Sequence, residues 1–307
     1  MRITVLGDLL YDCFIWADRL PRVGETVTGD RNGFYAGGKG GNQAVQAARL
    51  GAEVHMIGKV GRDERGAFLL ENLRREGIHA EFVSQEGETG TCCVHVDHAG
   101  HNAIIVAPLA NEKLTVEEVR RAQSLIEHSD VLLMQLQVNE EAVTEALRIA
   151  HGAGVRTVLN PAPARNVPGA YFKTVDFFTP NETEAEFFTG YYQSEMENAS
   201  WRRAVVDAFR KKGVRNLIVT LGERGCLYAG EEDELLCPPY PVEAVDTTAA
   251  GDSFNAALCV SLAGGDSLAQ ALRRANAAGA LTASRHGSLP SMPDRETLET
   301  FMRRNAT

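Results

Sequence analysis

No stretch of the chain approaches the ~18 consecutive apolar residues of a membrane-crossing helix, so the sequence predicts no membrane partner. Positive charge is also scarce. Lys and Arg number 31 against 41 Asp and Glu, for a net charge of -10 at pH 7. Such a balance argues against nucleic acid or an anionic bilayer as the main partner. It does not exclude ATP, which local backbone amides and a metal ion can hold. Cysteines are few and scattered: Cys13, Cys92, Cys93, Cys226, Cys237 and Cys259, with no CxxC and no Cys/His ligand spacing. They read as reduced thiols in a cytoplasmic protein with no zinc site. The opening residues Met1 to Asp8 read as a strand ending at a glycine and lack the long apolar core of a signal peptide. Two common nucleotide motifs are missing as well. Neither GxxxxGK[ST] nor GxGxxG occurs, so there is no Walker A loop and no dinucleotide fingerprint.

What remains is an ordinary globular composition, 44% hydrophobic and 23% charged over 307 residues. That length fits one large α/β domain over 1–307. Strand-like runs at 3–6, 53–57, 130–135, 155–159, 177–179, 216–220 and 225–229 alternate with helix-like runs at 63–76, 116–128, 140–151, 182–189, 201–212, 251–262 and 268–284. This alternation predicts a mostly parallel sheet with helices on both faces. Two regions fall outside it. Alternating runs in 9–35 (Cys13 to Trp16, Glu25 to Thr28) and in 90–107 (Thr91 to Asp97, Asn102 to Val106, parted by His98-Ala99-Gly100-His101) suggest a small antiparallel sheet that serves as a lid.

The chain is organised around Val245 to Ala257, where small residues lead through Ala249, Ala250 and Gly251 to Asp252 and a helical run. Unpaired amides at a helix start carry partial positive charge and can hold an anion. A carboxylate at that mouth can accept the proton of a hydroxyl attacking a phosphoryl group. An Asp that merely stabilises a helix dipole is the plainer alternative. A second stretch, Gly37-Gly38-Lys39-Gly40-Gly41-Asn42, sets four glycines around one lysine and allows close backbone approach to a ligand. Its alternative is a flexible surface loop, although Lys39 and Asn42 interrupt an otherwise small-residue entry to a helix.

GGKGGNQA near residue 40, followed by DTTAAGDSFNAAL near residue 250, resembles the two signatures of the ribokinase (PfkB) family of carbohydrate kinases. The resemblance extends to Pro21–Thr26, Met134–Leu136, Asn160–Ala164, Thr179–Glu184 and Thr220–Gly225. It implies Asp252 as catalytic base and the amides of Ala249, Ala250, Gly251 and Asp252 as an anion hole. Asp12, Gly38, Lys39 and Asn42 match sugar-binding positions. A carboxylate at Asp12 could accept two sugar hydroxyls, or it could be a turn residue. Asn181 and Glu184 match a motif tied to magnesium and the nucleotide phosphates, and the same spacing is a helix capping box. Thr220, Gly222 and Gly225 match nucleotide contacts. Asn276 falls near the adenine pocket, or is a packed polar residue of its helix. Asp246, Thr248, Thr282, Arg285, Gly287 and Ser291 match the loops around an activating potassium ion.

Two positions depart from the ribokinase pattern. Leu10 stands where the family has a sugar-binding Asn, and Gln137 where it has a Glu. A hydroxyl left unsatisfied against a leucine loses roughly 1–3 kcal/mol. The resemblance therefore implies an ATP-, magnesium- and potassium-dependent kinase for the primary hydroxyl of a pentose, D-ribose first, with 2-deoxy-D-ribose admitted by Leu10. A cytoplasmic homodimer joined through the lid is implied too. A nucleoside kinase, with Phe14, Trp16, Phe34 and Tyr35 stacking a base, is the second reading. A sugar-sensing protein on an inactive scaffold is the third.

Overall fold

The computed structural model describes residues 1–98 and 101–305. Ala99 and Gly100 of the predicted turn, and the last two residues of the 1–307 span, lie outside the described residues. The strands are β1 (Arg2–Leu6), β2 (Leu10–Ala17), β3 (Arg31–Gly37), β4 (Glu53–Val60), β5 (His79–Gln85), β6 (Thr91–Asp97), β7 (Asn102–Ala107), β8 (Val131–Met134), β9 (Arg156–Leu159), β10 (Phe177–Phe178), β11 (Asn216–Thr220), β12 (Cys226–Ala229) and β13 (Glu234–Cys237). The helices are α1 (Lys39–Arg49), α2 (Glu64–Arg75), α3 (Val116–Arg121), α4 (Gln123–Glu127), α5 (Glu140–Ala153), α6 (Tyr171–Thr174), α7 (Glu182–Thr189), α8 (Asn198–Lys212), α9 (Ala250–Ala263), α10 (Leu268–Ala283) and α11 (Arg295–Arg304). No helix among the described residues is long and apolar enough to cross a membrane.

Nine strands form the main sheet in the order β13-β12-β11-β10-β9-β8-β1-β4-β5. It is parallel from β5 to β11 and antiparallel only over the β11–β12–β13 end. Parallel strands covered on both faces read as continuous apolar runs, which is why β8 (VLLM) is wholly buried. Side-chain alternation then divides the core. Ile3, Val5, Val131 and Leu133 join one cluster with residues of α1, α9 and α10, while Leu6, Leu132 and Met134 join the other with residues of α3, α5 and α8. Helix α9 is buried on nearly every side from Asp252 to Leu262, as a helix apolar all round must be.

The second sheet has four strands in the order β3-β2-β6-β7. It is mixed, not antiparallel as the alternation suggested: β2 and β6 run parallel, Asp12 opposite Cys92 and Cys13 opposite Cys93. Alternation specifies which face a side chain takes but carries no information on strand direction. Here β6 returns after the β4–α2–β5 crossover and lies beside β2 in the same sense. The predicted run at Glu25–Thr28 is loop. Glu25 instead closes a turn, accepting the Arg22 amide at 3.0 Å and pairing with Arg19. The strand that partners β2 is Arg31–Gly37. The predicted helix over 116–128 is broken at Ala122. Strands β5 and β13 and helix α11 were not anticipated. β5 and β13 are the two edge strands of the main sheet, and Leu298 is the buried residue of α11.

Candidate active site

The carboxyl ends of neighbouring parallel strands deliver polar residues one after another. Asp8 follows β1, Gln135 follows β8, Asn160 follows β9, Thr179 follows β10, and Thr220 ends β11. This is the edge at which open α/β sheets bind ligands. Helix α1 enters it through the glycine loop. The Gly40 amide donates to Asp8 Oδ1 at 3.0 Å and the Gly41 amide to the Asp8 carbonyl at 3.0 Å. A side chain at Gly40 would stand 2.7 Å from backbone atoms of Gly7 and Asp8. That close approach explains the glycine and brings Lys39 and Asn42 to the strand ends.

Helix α9 brings Asp252 from the other side. Asn42 Nδ2 donates to its Oδ2 and Gln43 Nε2 to its Oδ1, both at 2.9 Å. Gln43 also donates to Asn160 at 3.2 Å and accepts from Gln135. Asn160 continues to the Thr179 carbonyl at 3.2 Å, Thr179 to Asn255 at 2.6 Å, and Asn255 to the Gly251 carbonyl at 2.8 Å. A connected polar network thus orients the carboxylate and the first turn of α9, with Asn42 Oδ1 and Gln135 Oε1 left buried without a partner. Ala249 precedes that turn with φ 61, a left-handed conformation costly for a residue with a Cβ. The amide of Ala250 is engaged by the Thr247 carbonyl at 3.2 Å, so it is already engaged in a turn. Those of Gly251 and Asp252 belong to the first-turn donors that a helix leaves without an intrahelical partner. Around Gly251 there is open space.

Charge in this cleft is unbalanced. Asp8, Asp12 and Asp252 are buried and face one half-buried cation, Lys39. Burial, reinforced by repulsion from Asp8 and Asp252, pushes the Asp12 carboxyl up to about 7. Burial raises Asp8 to about 6 against the pull of the Gly40 amide and Lys39. Asp252 is also raised by burial, with Lys39, Asn42 and Gln43 opposing the shift. Burial would lower Lys39, but Asp252, Asp8 and Glu184 overrule it and hold the ammonium above its usual range. Asp8 Oδ2 and Asp12 Oδ1 are buried without a hydrogen-bond partner, so both acceptors are available to a donor entering the cleft.

The raised carboxyls give a pH dependence of definite sign. Their folded values lie above the unfolded 3.8, so the protonated fold is favoured. That contribution is fully present below 3.8 and is lost as pH rises through about 6 and about 7. The ligand-free protein should therefore lose melting temperature between pH 5 and pH 8, with a shallower slope in Asp12→Asn. An identical slope in the variant would contradict the assignment.

The remaining predicted residues divide. Leu10 is buried with Phe14, Cys92 and Val94, on the face of β2 that also carries Asp12. Glu184 is buried at α7, where its Oε2 accepts the Asn181 amide at 2.9 Å while Asn181 accepts the Glu184 amide at 2.8 Å. The capping box is real, and burial raises the Glu184 carboxyl above its ordinary value. Thr220 bridges to Asn181 and donates its amide to Pro180 at 3.0 Å. Gly222, at φ 55, faces open space. Gly225 is constrained by packing, since a Cβ would lie 2.2 Å from the Cys237 carbonyl. Asn276 donates to the Pro238 carbonyl at 3.1 Å, so its amide holds that loop. Gln137 is half-buried beyond Leu136. Asp246 ties two loops together, accepting from the Thr248 amide and the Gly287 amide at 2.9 Å each. Burial opposes its ionisation, but these bonds prevail and keep its carboxyl below the usual range. Thr282 Oγ1 is buried without a partner, Arg285 donates its amide to the Thr282 carbonyl at 3.2 Å, and Ser291 bonds the Ser288 carbonyl at 2.7 Å.

Sequence reasoning assigned no role to Asp8, Gln43, Gln135, Asn160 or Asn255. Gln43, Gln135, Asn160 and Asn255 lie inside the quoted motif segments, and for Gln135 and Asn160 a polar residue directly after an apolar strand run was the available signal.

A family model described as pfkB family carbohydrate kinase matches residues 1–295. The chain is 37% identical to Bacillus subtilis ribokinase over 301 residues, covering 98% of this chain and 99% of that protein. It is 32% identical to the deoxyribokinase of Salmonella typhi over 308 residues, covering 99% and 100%. Its backbone is similar to that of Arabidopsis thaliana ribokinase complexed with ribose and ATP, with TM-score 0.89, 29% identity and 98% of each chain covered.

Proposed function

The chain belongs to the pfkB family of carbohydrate kinases, and from that premise we propose that it transfers the γ-phosphoryl group of ATP to the primary hydroxyl of a pentose, D-ribose first and 2-deoxy-D-ribose beside it. The observation that carries this reading is the oriented carboxylate of Asp252, held by Asn42 and Gln43 in the first turn of α9. Asp252 takes the proton of the attacking hydroxyl. The Gly251 and Asp252 amides stabilise the charge on the transferring group. Asp12 accepts sugar hydroxyls, with Gly38, Lys39, Asn42 and Gln137 beside it. Thr220, Gly222, Gly225, Asn181 and Asn276 form the nucleotide side.

Magnesium, when bound, neutralises phosphate charge. Glu184 and Asn181 fit that group, because one Glu184 oxygen caps the helix and the other remains for a water of the ion's shell. Potassium is assigned to the loops that Asp246 ties together through the Thr248 and Gly287 amides, with Thr282, Arg285 and Ser291 as the other positions that match the family's cation loops. It should raise kcat more than sugar affinity, and equal turnover in potassium and in a large organic cation would remove the site from the account. The four-stranded sheet is the lid of a single-domain kinase. Ile104, Ile105 and Val106 on its exposed edge strand support a homodimer joined there, which light scattering can refute.

The sugar reading gains over a nucleoside because the lid aromatics are engaged with one another. Phe14 stacks on Trp16 with centroids 5.5 Å apart and meets Tyr35 edge-on, while Phe34 stacks on Tyr11. Substrate choice turns on Leu10. A site that bonds a hydroxyl rejects the analogue lacking it, and an apolar site imposes no such penalty. In an ADP-release assay 2-deoxy-D-ribose should match or exceed D-ribose in kcat/KM. Leu10→Asn should move the ratio about tenfold toward ribose, worth about 1.4 kcal/mol. A wild type favouring ribose by orders of magnitude, with the ratio unmoved in the variant, would place Leu10 outside the sugar site. Adenosine or cytidine outcompeting every sugar would reverse the reading itself.

A further inference from the structure

The opposite end of the sheet carries a second cluster of ligating side chains. Strand alternation places Glu53 and His55 on one face of β4, and His79 and Glu81 on the same face of the adjacent edge strand β5, where His55 pairs with His79. The two imidazoles stack with centroids 4.4 Å apart and planes 14° from parallel. Glu53, His55 and His79 each offer one ligand atom, and these atoms all lie within 4.8 Å of one another.

His55 is the buried member, and both of its ring nitrogens face carboxylates: Nε2 lies 3.1 Å from Glu53 Oε1, and Nδ1 lies 3.0 Å from Glu81 Oε1. Ionised carboxylates only accept hydrogen bonds, and a neutral imidazole donates from one nitrogen alone. The second nitrogen therefore meets an oxygen lone pair unless a cation, a proton or a metal, stands between them. We propose that Glu53, His55 and His79 bind a divalent transition-metal ion of the zinc class, with Glu81 orienting His55.

The chemistry fits. Zinc takes histidine nitrogen at about 2.0–2.1 Å and carboxylate oxygen at about 2.0–2.2 Å, which in a tetrahedral site sets ligand atoms about 3.3 Å apart. The Glu53–His55 pair already has that spacing. His79 is exposed on the edge strand and needs only to tilt its ring out of the stack. The fourth position is left to water. Nδ1–H of His55 then donates to Glu81, the carboxylate–histidine–metal relation that fixes a ligand's tautomer. Arg2 also donates to Glu53 Oε1 at 3.0 Å, and the second lone pair of that oxygen is left for the ion. Glu53 and Glu81 against Arg2 leave one net negative charge to receive a dication. No sequence spacing announced this site, because its ligands come from two strands joined by a crossover. It lies at the start of β4, whereas the active site lies at the strands' carboxyl ends. The ion would staple edge strand β5 to β4 without touching the chemistry.

Zinc chloride titrated into the whole protein, followed by calorimetry, tests this, with His79→Gln and the surface control His101→Gln in parallel. Wild type and His101→Gln should bind one equivalent at least tenfold more tightly than His79→Gln. Zinc should raise the melting temperature of the first two and not of the third. His79 is exposed, so its replacement leaves the fold intact, and Glu53→Gln gives a second variant expected to lose the same equivalent. Equal zinc affinity in wild type and both site variants, or a zinc-induced stabilisation that His79→Gln retains, overturns the proposal.

Discussion

Asp252→Asn should lower kcat by about 10³-fold, with KM for sugar and ATP nearly unchanged, since a positioned general base contributes about 10²–10⁴-fold. The substitution removes the proton acceptor and little else. Asp252 accepts one hydrogen bond on each oxygen, from Asn42 and from Gln43. An asparagine keeps one acceptor and turns the other into a donor. Asn42 can answer by rotating its amide, because its own Oδ1 is buried without a partner. The variant should thus fold, and its melting temperature should equal or exceed that of the wild type, because a buried carboxylate that burial disfavours in its charged form has been replaced by a neutral group. Single-turnover rates and thermal melts separate the two effects. Wild-type turnover in this variant would end the assignment of Asp252 as base.

Gly37→Ala should raise the sugar KM about 100-fold, equivalent to about 2.7 kcal/mol, with a much smaller loss of stability. A Cβ at Gly37 would lie 2.0 Å from Asp12 Oδ2 and 2.4 Å from Asp12 Cγ. No backbone atom obstructs it at that range, so the strand pair β2–β3 survives and the Asp12 carboxylate must swing away. The cost to the fold is an off-rotamer side chain and modest overpacking. The cost to the site is its sugar acceptor. The expected signature is therefore a split between affinity and stability, read by sugar titration and by melting. If Asp12→Ala alone costs the same, adding Gly37→Ala should cost little more, because both act on one group. Unchanged sugar affinity in Gly37→Ala would show that sugar does not bind where Asp12 now points.

Local chemistry was legible in the sequence wherever a residue's role depends on its near neighbours. Asn181 and Glu184 form the box that their spacing requires. The small residues before Asp252 do end at a helix start, and helix α7 and strand β11 have the bounds their apolar patterns assigned. Alternating strands and helices were enough for a parallel sheet, because a buried crossover leaves little choice of topology. The glycine loop was visible too, although its reason was not: only the folded chain brings Gly40 against Gly7 and Asp8 and Gly37 against Asp12.

The tertiary structure decided what depends on register and on contacts between distant segments. Gln43, Gln135 and Asn160 become one network because helix α1 meets the ends of strands far apart in sequence, and Asp8 joins the same edge by holding the Gly40 amide. A polar residue after a strand can be seen in the sequence, but nothing there says which other strand end it meets. The direction of β2 against β6, and the meeting of His55 with His79, follow from strand pairing. A period-two pattern fixes the face of each side chain and leaves its neighbour across the sheet unspecified. Glu25–Thr28 alternates like a strand but closes a turn, because Arg19 and the Arg22 amide claim its carboxylate. Residue types and spacing therefore determined the chemistry available to this protein. The stacking order of the sheet determined which of those groups meet, since hydrogen bonds and Coulomb interactions act through space and not along the chain.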